Sequence, residues 1–404
     1  MRKIRSINDV RVLADNTSHI LTLFSGGLDS SYILEELKNS KAKVTALAID
    51  LGDGVDESSL KKITNHFGVD LVVIDARKEF VEHSLVSAIH SQAYYLGDYP
   101  VSSSLSRPII VKKAVELANK LNCDAVIHTA NQSQNSLRRL NGALETSDFK
   151  GYYGSPYEFS AITREEKTAV LAKSGLLSFQ NRNVSGDSNL WCREFESGIL
   201  DDPENFTMPE NLYTWSLWNP DNHLPDDKLK ITFHKGYPVS INDQAINFMD
   251  MINFLNIHAG SYEIGRYVGF DHLDDDEKVL EIREAPAASV LMNAYKLLET
   301  AILPTDVLKT KSTHNEIWTQ EAVEGRWESM LQKASYAFTS YTAEYISGSI
   351  TFKLSRGQAL ANRIVAQAPM YLRDRDNWEV NITKKRSISE ISTPKLKTVI
   401  DQVA

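Results

Sequence analysis

Short apolar runs alternate with amphipathic repeats along the first third of the chain. Ile20, Leu21, Leu23 and Phe24 form a run that predicts a buried strand, and Tyr32, Ile33, Leu34 and Leu37 then recur at helical spacing. KVTALAIDL (43–51), DLVVIDA (70–76) and CDAVIHTA (123–130) read as further strands. ESSLKKITNHFG (57–68) reads as an amphipathic helix closed by Gly68. RPIIVKKAVELANKLN (107–122) reads as a helix with Pro108 near its start, where proline is tolerated. Strands alternating with helices imply a parallel sheet covered on both faces.

The rhythm changes near residue 180. KLKITFHKGYPVSIN (228–242) and SGSITFKLSRGQALANRIV (347–365) predict hairpins turned at Lys235-Gly236 and Arg356-Gly357. Helices are expected between them, at 243–260 and 286–303 among others. The pattern therefore predicts an α/β domain over 1–178 and an α+β domain over 179–375. A charged tail over 376–404 ends in an amphipathic stretch, SEISTPKLKTVIDQVA. A tail with so little core of its own is expected to fray or to dock on another subunit.

Composition narrows the class. The 404 residues exceed one ordinary domain, and 42% hydrophobic with 24% charged residues fits a globular chain with a full core. Cys123 and Cys192 lie far apart without CxxC spacing, which argues against a disulfide framework or a zinc site and suits a reducing, cytoplasmic setting. MRKIRSINDV has no apolar h-region, and no run is long enough to span a membrane. A net charge of −9 argues against a broad nucleic-acid surface.

The candidate chemistry lies between the first strand and the first amphipathic helix, in Ser25-Gly26-Gly27-Leu28-Asp29-Ser30-Ser31. In a parallel sheet, ligands bind beyond the carboxyl ends of the strands. Gly26 and Gly27 let backbone N–H groups close on a ligand, and Gly27 is expected to need a backbone angle that a branched residue resists. A helix N-terminus favours an anion, and Ser25, Ser30 and Ser31 add hydroxyls. The loop is neither a Walker A nor a GxGxxG pattern. Asp29 reads either as a Mg²⁺ ligand or as a helix-start carboxylate. The histidines have no metal-site spacing, and no metal-ligand cluster is expected in the protein itself.

SGGxDS resembles the pyrophosphate loop of the ATP pyrophosphatases. Further stretches resemble argininosuccinate synthase in order and spacing: SSSLSRPIIVKKAVELA (102–118), NLWCREFESGILDDP (189–203), IGRYVGF…EIREAPAASVL (264–291) and GSITFKLSRG (348–357). The resemblance implies an adenine nucleotide alpha hydrolase-like domain, a synthetase/multimerisation domain, and a homotetramer clasped by a C-terminal tail helix. It implies ATP and Mg²⁺, small amino-acid-like substrates, and neither a nucleic-acid nor a membrane partner. It also implies a reaction in which a ureido oxygen attacks ATP, pyrophosphate leaves and an amine displaces AMP. Nucleotide contacts would come from Phe24, Ser25, Gly26, Gly27, Asp29, Ser30, Ser31 and Ile49, with Ser25, Asp29 and Arg107 closest to the chemistry. Tyr99, Ser104, Arg139 and Ser185 stand at acceptor-binding positions, Arg139 as the carboxylate anchor. Ser103 keeps a hydroxyl at an aspartate-binding position.

Several positions depart from the family pattern. Asp271, Arg283 and Glu194 replace a glutamate, a tyrosine and a serine in the pocket. The family's HGATGKGNDQxRFE segment has lost every glycine in His128–Asn141. Asn131, Ser133 and Ser136 replace a threonine, a lysine and an aspartate, while Asn135 and Arg139 remain. Losing charged partners for a dicarboxylate predicts an altered amine substrate. Three readings follow: an AMP-forming C–N ligase with altered substrates or a drifted argininosuccinate synthase, a tRNA-modifying relative, and a non-catalytic nucleotide sensor. The intact SGGLDSS favours an enzyme.

Overall fold

In the computed structural model the described residues are 3–52, 54–177, 179, 184–208, 210–217, 224–273 and 276–385. Six parallel strands form the first sheet, in the order Lys3–Ile4, Tyr152–Gly154, Ala125–Ile127, His19–Leu23, Lys43–Asp50 and Asp70–Asp75. The four strands expected from sequence are consecutive neighbours that end at the Asp70–Asp75 edge. The two short strands beyond them, Tyr152–Gly154 and the edge strand Lys3–Ile4, carry too few apolar residues to signal themselves. The strand expected over 123–130 narrows to Ala125–Ile127, because the chain leaves the sheet at His128 for the crevice.

Strand order reverses at His19–Leu23. Its neighbours are Lys43–Asp50 on one side and Ala125–Ile127 on the other. This switch point opens a crevice flanked by the 24–27 loop and the 128–135 segment, the two stretches singled out by their sequence.

The helix expected over 107–122 begins four residues earlier, at Ser103, and ends at Leu121. Pro108 is therefore inside the helix rather than at its start. A proline there has no N–H to offer the carbonyl four residues back. That carbonyl, on Ser104, instead accepts the indole N–H of Trp327 at 3.0 Å. A tertiary contact thus replaces the missing ladder bond. Gly68 closes the Glu57–Phe67 helix in the left-handed conformation, as expected.

Both expected hairpins form, from Asp227–His234 with Tyr237–Ile241 and from Gly348–Ser355 with Gln358–Ala366. Lys235 and Gly236 both have positive φ, the twist that a two-residue hairpin turn requires. They belong to a five-stranded sheet packed against the Pro286–Ile302 helix. The helix expected over 243–260 is Phe248–His258, capped by the Asn247 side chain, because Gln244–Ala245 pairs as an edge strand.

A second antiparallel sheet has no clear sequence signal. It runs Arg266–His272, Lys278–Glu284, Arg193–Glu196, Ser185–Ser188. Its strands are rich in charge, which ordinarily reads as loop. The tail contributes an exposed helix, Arg375–Lys385, and the expected amphipathic stretch 389–404 lies outside the described residues.

Candidate active site

The phosphate loop follows from the backbone. The Leu28–Leu37 helix makes its first internal bond from Ser31 N–H to the Gly27 carbonyl (3.0 Å), so the N–H groups of Leu28, Asp29 and Ser30 precede the ladder. Gly26 has φ +71°, which favours glycine, and a Cβ there would lie 2.5 Å from the end of the Leu60 side chain, which would have to shift. Gly27 corrects the sequence expectation. Its φ of −78° and ψ of 173° are open to any residue, and a Cβ would approach only Ser25 Oγ, at 3.1 Å. Its glycine keeps the space in front of the helix start clear. Ser25 Oγ lies 3.4 Å from Ser30 Oγ. Ser31 Oγ is buried without a hydrogen-bond partner. Phe24 packs its ring in the core, while Ile49 is half-buried at a strand end.

Asp29 has a partner that the sequence did not disclose. Lys167, from the Arg164–Lys173 helix, places Nζ 2.5 Å from Asp29 Oδ1 and 4.8 Å from the centroid of the Tyr157 ring. Tyr157 donates its hydroxyl to the Asp29 carbonyl at 2.9 Å. No local motif marks Lys167, since the contact spans 138 residues. Among the described residues no group of three or more His, Cys, Asp or Glu could hold a metal. Asp29 is thus already paired with one cation, Lys167.

The charged sheet builds the second half of the site. Glu194 pairs across strands with Arg283 and with Asp187, Glu281 with Gly269, and Glu196 with Ser185. Because side chains alternate along a strand, this register puts Ser185, Asp187, Glu194, Glu196, Asp271, Glu281 and Arg283 on one face. Tyr99 lies against that face, and Gly269 makes the room, since a Cβ there would be 2.7 Å from the Tyr99 ring. The Arg283 guanidinium lies over the same ring, 4.1 Å from its centroid. A narrow cleft, with about 10 Å³ of free space, gathers Tyr99, Ser103, Ser104, Arg139, Asp271 and Arg283.

Every guanidinium in this region is already engaged. Arg283 is hydrogen-bonded to both Glu194 and Glu281. Arg107 is hydrogen-bonded to Asp187 and to Ser136 Oγ (2.9 Å). Arg139 donates to Ser103 Oγ and the Val323 carbonyl, both at 2.8 Å, and lies 3.7 Å from Asp271. Arg139, expected as a carboxylate anchor, thus lines the cleft with two of its N–H groups already donated within the protein. Asn135 donates to Asp271 at 2.7 Å. Gln134 reaches Glu196 at 3.3 Å, and the Asn131 carbonyl oxygen of the side chain accepts from Ser133. Ser185 lies at the sheet edge opposite Glu196, and Asn131 in the loop beyond, outside the inner cleft.

Asp187, Glu194, Glu196, Asp271 and Glu281 thus face only Arg107, Arg139 and Arg283. Burial accordingly pushes Glu196 up to about 7 and Glu281 to about 8, with neighbouring carboxylates adding to the shift. The sign of the pH effect follows. Glu281 holds its proton in the native state at pH values where the unfolded chain, near 4.5, has released it. Stability therefore falls as pH rises. Glu196 acts in the same sense up to about 7. His90 and His128, lowered by burial to about 4, act oppositely below 6.5. Between pH 7 and 8 Glu281 remains, and the expected loss is about 1.4 kcal/mol per pH unit at most. Urea midpoints across this window should show the slope in the natural chain and not in Glu281→Gln.

Sheet, crevice and loop define an ATP-using α/β domain joined to an antiparallel domain that roofs the ligand site. Residues 19–176 match the family model of the arginosuccinate synthase N-terminal HUP domain, and residues 184–389 match that of the arginosuccinate synthase C-terminal domain. The chain belongs to the argininosuccinate synthase family, whose members are ATP-dependent ligases acting on small molecules. The argininosuccinate synthases of Staphylococcus aureus strains JH9 and Newman are each 34% identical over 351 residues, covering 85% of this chain and 86% of theirs. Among solved structures, NMN synthetase from Francisella tularensis overlaps 44% of this chain and 72% of its own, with 11% identity and a TM-score of 0.32. The NH3-dependent NAD synthetase from Campylobacter jejuni overlaps 42% and 70%, with 15% identity and a TM-score of 0.29. No helix among the described residues is long and apolar enough to cross a membrane.

Proposed function

We propose that this chain adenylates the oxygen of a citrulline-like acceptor, ureido or carboxyl, releases pyrophosphate, and joins the acceptor to an amine other than aspartate. ATP phosphates would meet the 25–31 loop, with Mg²⁺ at Asp29. Fixed N–H donors at the helix start stabilise charge where it develops on the departing pyrophosphate. The observation that carries the altered amine is the charge inventory of the crevice. Asn131, Ser133, Asn135 and Ser136 are neutral, and Arg107, Arg139 and Arg283 are paired with four carboxyl groups, Asp187, Asp271, Glu194 and Glu281. A dicarboxylate would meet only guanidiniums that already share carboxyl partners, at a cost of a few kcal/mol for each charge left unpaired.

The second reading is an argininosuccinate synthase that has drifted, using citrulline and aspartate. Identity of 34% over most of the chain favours it. Steady-state pyrophosphate release separates the two. Aspartate with citrulline is expected to be at least about a hundredfold poorer than the best of a panel of neutral and cationic amines. Efficient turnover of citrulline with aspartate, on the order of 10⁴ M⁻¹s⁻¹ or above, contradicts the altered-substrate reading.

We further propose a homotetramer held in part by the tail. In support, the 375–385 helix and the segment before it expose Leu372, Trp378 and Val380. Light scattering should show a lower solution mass when residues 376–404 are removed. A full-length monomer at micromolar concentration would speak against it.

A further inference from the structure

Four of the carboxyl groups on the crevice face of the charged sheet are paired with Arg107, Arg139 and Arg283. Glu196 is the fifth and is not. It lies on the Arg193–Glu196 strand two positions beyond Glu194, hence on the same face, while Arg193 faces the other way and is hydrogen-bonded to Glu284. The one side-chain partner of Glu196 among the described residues is the neutral amide of Gln134, which donates to Oε1 at 3.3 Å. The residue is half-buried, and among the described residues nothing donates to Oε2. Burial, with Glu194, Asp187 and Asp271 adding to it, pushes the carboxyl up to about 7.

Gln134 belongs to the segment whose charge has been lost. From Thr129 to Leu137 that segment carries no charged residue. It meets the sheet with amides instead, Gln134 on Glu196 and Asn135 on Asp271 at 2.7 Å. An amine held between segment and sheet therefore lies beside a carboxyl that no cation of the chain neutralises. A substrate carboxylate there would meet like charge, and an uncharged group would leave Glu196 unpaired. An alkylammonium or a guanidinium supplies the missing cation and favours the ionised carboxylate.

We propose that the amine co-substrate is a diamine or a guanidino-amine, and that Glu196 is the specificity-determining residue that receives its second, non-reacting cation. This rests on the ligase reading above and names the class of amine for the same crevice. The spacing suits it. Glu194 accepts the N–H of Ser103, a residue of the inner cleft, at 3.3 Å. Glu196 stands two strand residues further out, about 7 Å away. A spacer of a few carbons thus joins a reacting nitrogen at the inner cleft to a cation at Glu196.

The test uses the full-length protein, an acceptor that supports ATP–pyrophosphate exchange, and three amines of matched length. Putrescine carries a distal ammonium, butylamine no distal charge, and γ-aminobutyrate a distal carboxylate. Putrescine is expected to exceed butylamine in kcat/KM by about thirtyfold, the effect of one charge-assisted hydrogen bond, with γ-aminobutyrate the poorest. Glu196→Gln should bring the putrescine-to-butylamine ratio to within about threefold of unity. Glu196→Lys should make γ-aminobutyrate the best of the three. A residue that merely held the strand in place would lower all three amines together. A ratio near unity in the natural chain, a ratio that survives in Glu196→Gln, or exchange without turnover of putrescine or agmatine overturns this inference and leaves the ligase reading standing. Aspartate as the best amine overturns the altered-substrate reading and this inference with it. Absence of exchange with every acceptor overturns the ligase reading itself, and the inference with it.

Discussion

A Gly27→Val chain is expected to fold normally and to lose about a thousandfold or more of its ATP turnover. Gly27 sits at φ −78°, ψ 173°, an extended conformation that suits a β-branched residue. The valine methyls would occupy the space before the Leu28, Asp29 and Ser30 N–H groups, where phosphate oxygens must come. The neighbouring glycine gives the contrast. Gly26→Val forces a β-branched residue to φ +71° and drives Cβ to 2.5 Å from Leu60, so it should cost stability, on the order of 1–3 kcal/mol from the backbone alone. Pyrophosphate release and thermal melts on both variants check the pair. Full turnover by a folded Gly27→Val protein removes the phosphate-loop assignment.

Arg283→Met should be among the most destabilising single changes in the chain, by about 3–5 kcal/mol at pH 8. The side chain is the cation shared by Glu194 and Glu281, both buried, and removing it leaves two carboxylates facing each other and Tyr99. The deficit should shrink as pH falls, because protonation removes the uncompensated charge. Adding Glu194→Gln and Glu281→Gln to Arg283→Met should restore most of the loss, since neutral amides replace unpaired charges. Urea denaturation of the three chains at pH 6 and pH 8 measures this. An Arg283→Met protein as stable as its parent at pH 8 would mean that the carboxylates are not buried against one another.

The two halves of the site differ in how far they could be read from sequence. The phosphate loop is local. Strand, glycines, hydroxyls and helix start occupy consecutive positions from Ile20 to Leu37, so one stretch of chain carries the hydrophobic run, the turn chemistry and the helical period together. Even there, the role of each glycine depended on φ and on Leu60, a residue on another helix. For Asp29 the sequence offered a Mg²⁺ ligand or a helix-start carboxylate but no ion pair, because Lys167, its partner, lies 138 positions away.

The substrate cleft is not local. Glu194, Asp271, Glu281 and Arg283 sit on strands whose charge hides their period, and only the pairing register turns them to one face. Arg139 stood as an anchor by resemblance, and only the fold shows that two of its N–H groups go to Ser103 and Val323. Glu196 and Gln134 belong to a strand and to a loop 62 positions apart, and no spacing relates them. The sequence alone determined the parallel sheet, the phosphate loop and the loss of charge in the 128–141 segment, because periodicity, turn chemistry and charge are properties of neighbouring residues. The tertiary structure alone decided which charges are spent and which face the crevice, because ion pairing and burial depend on distances that only packing sets.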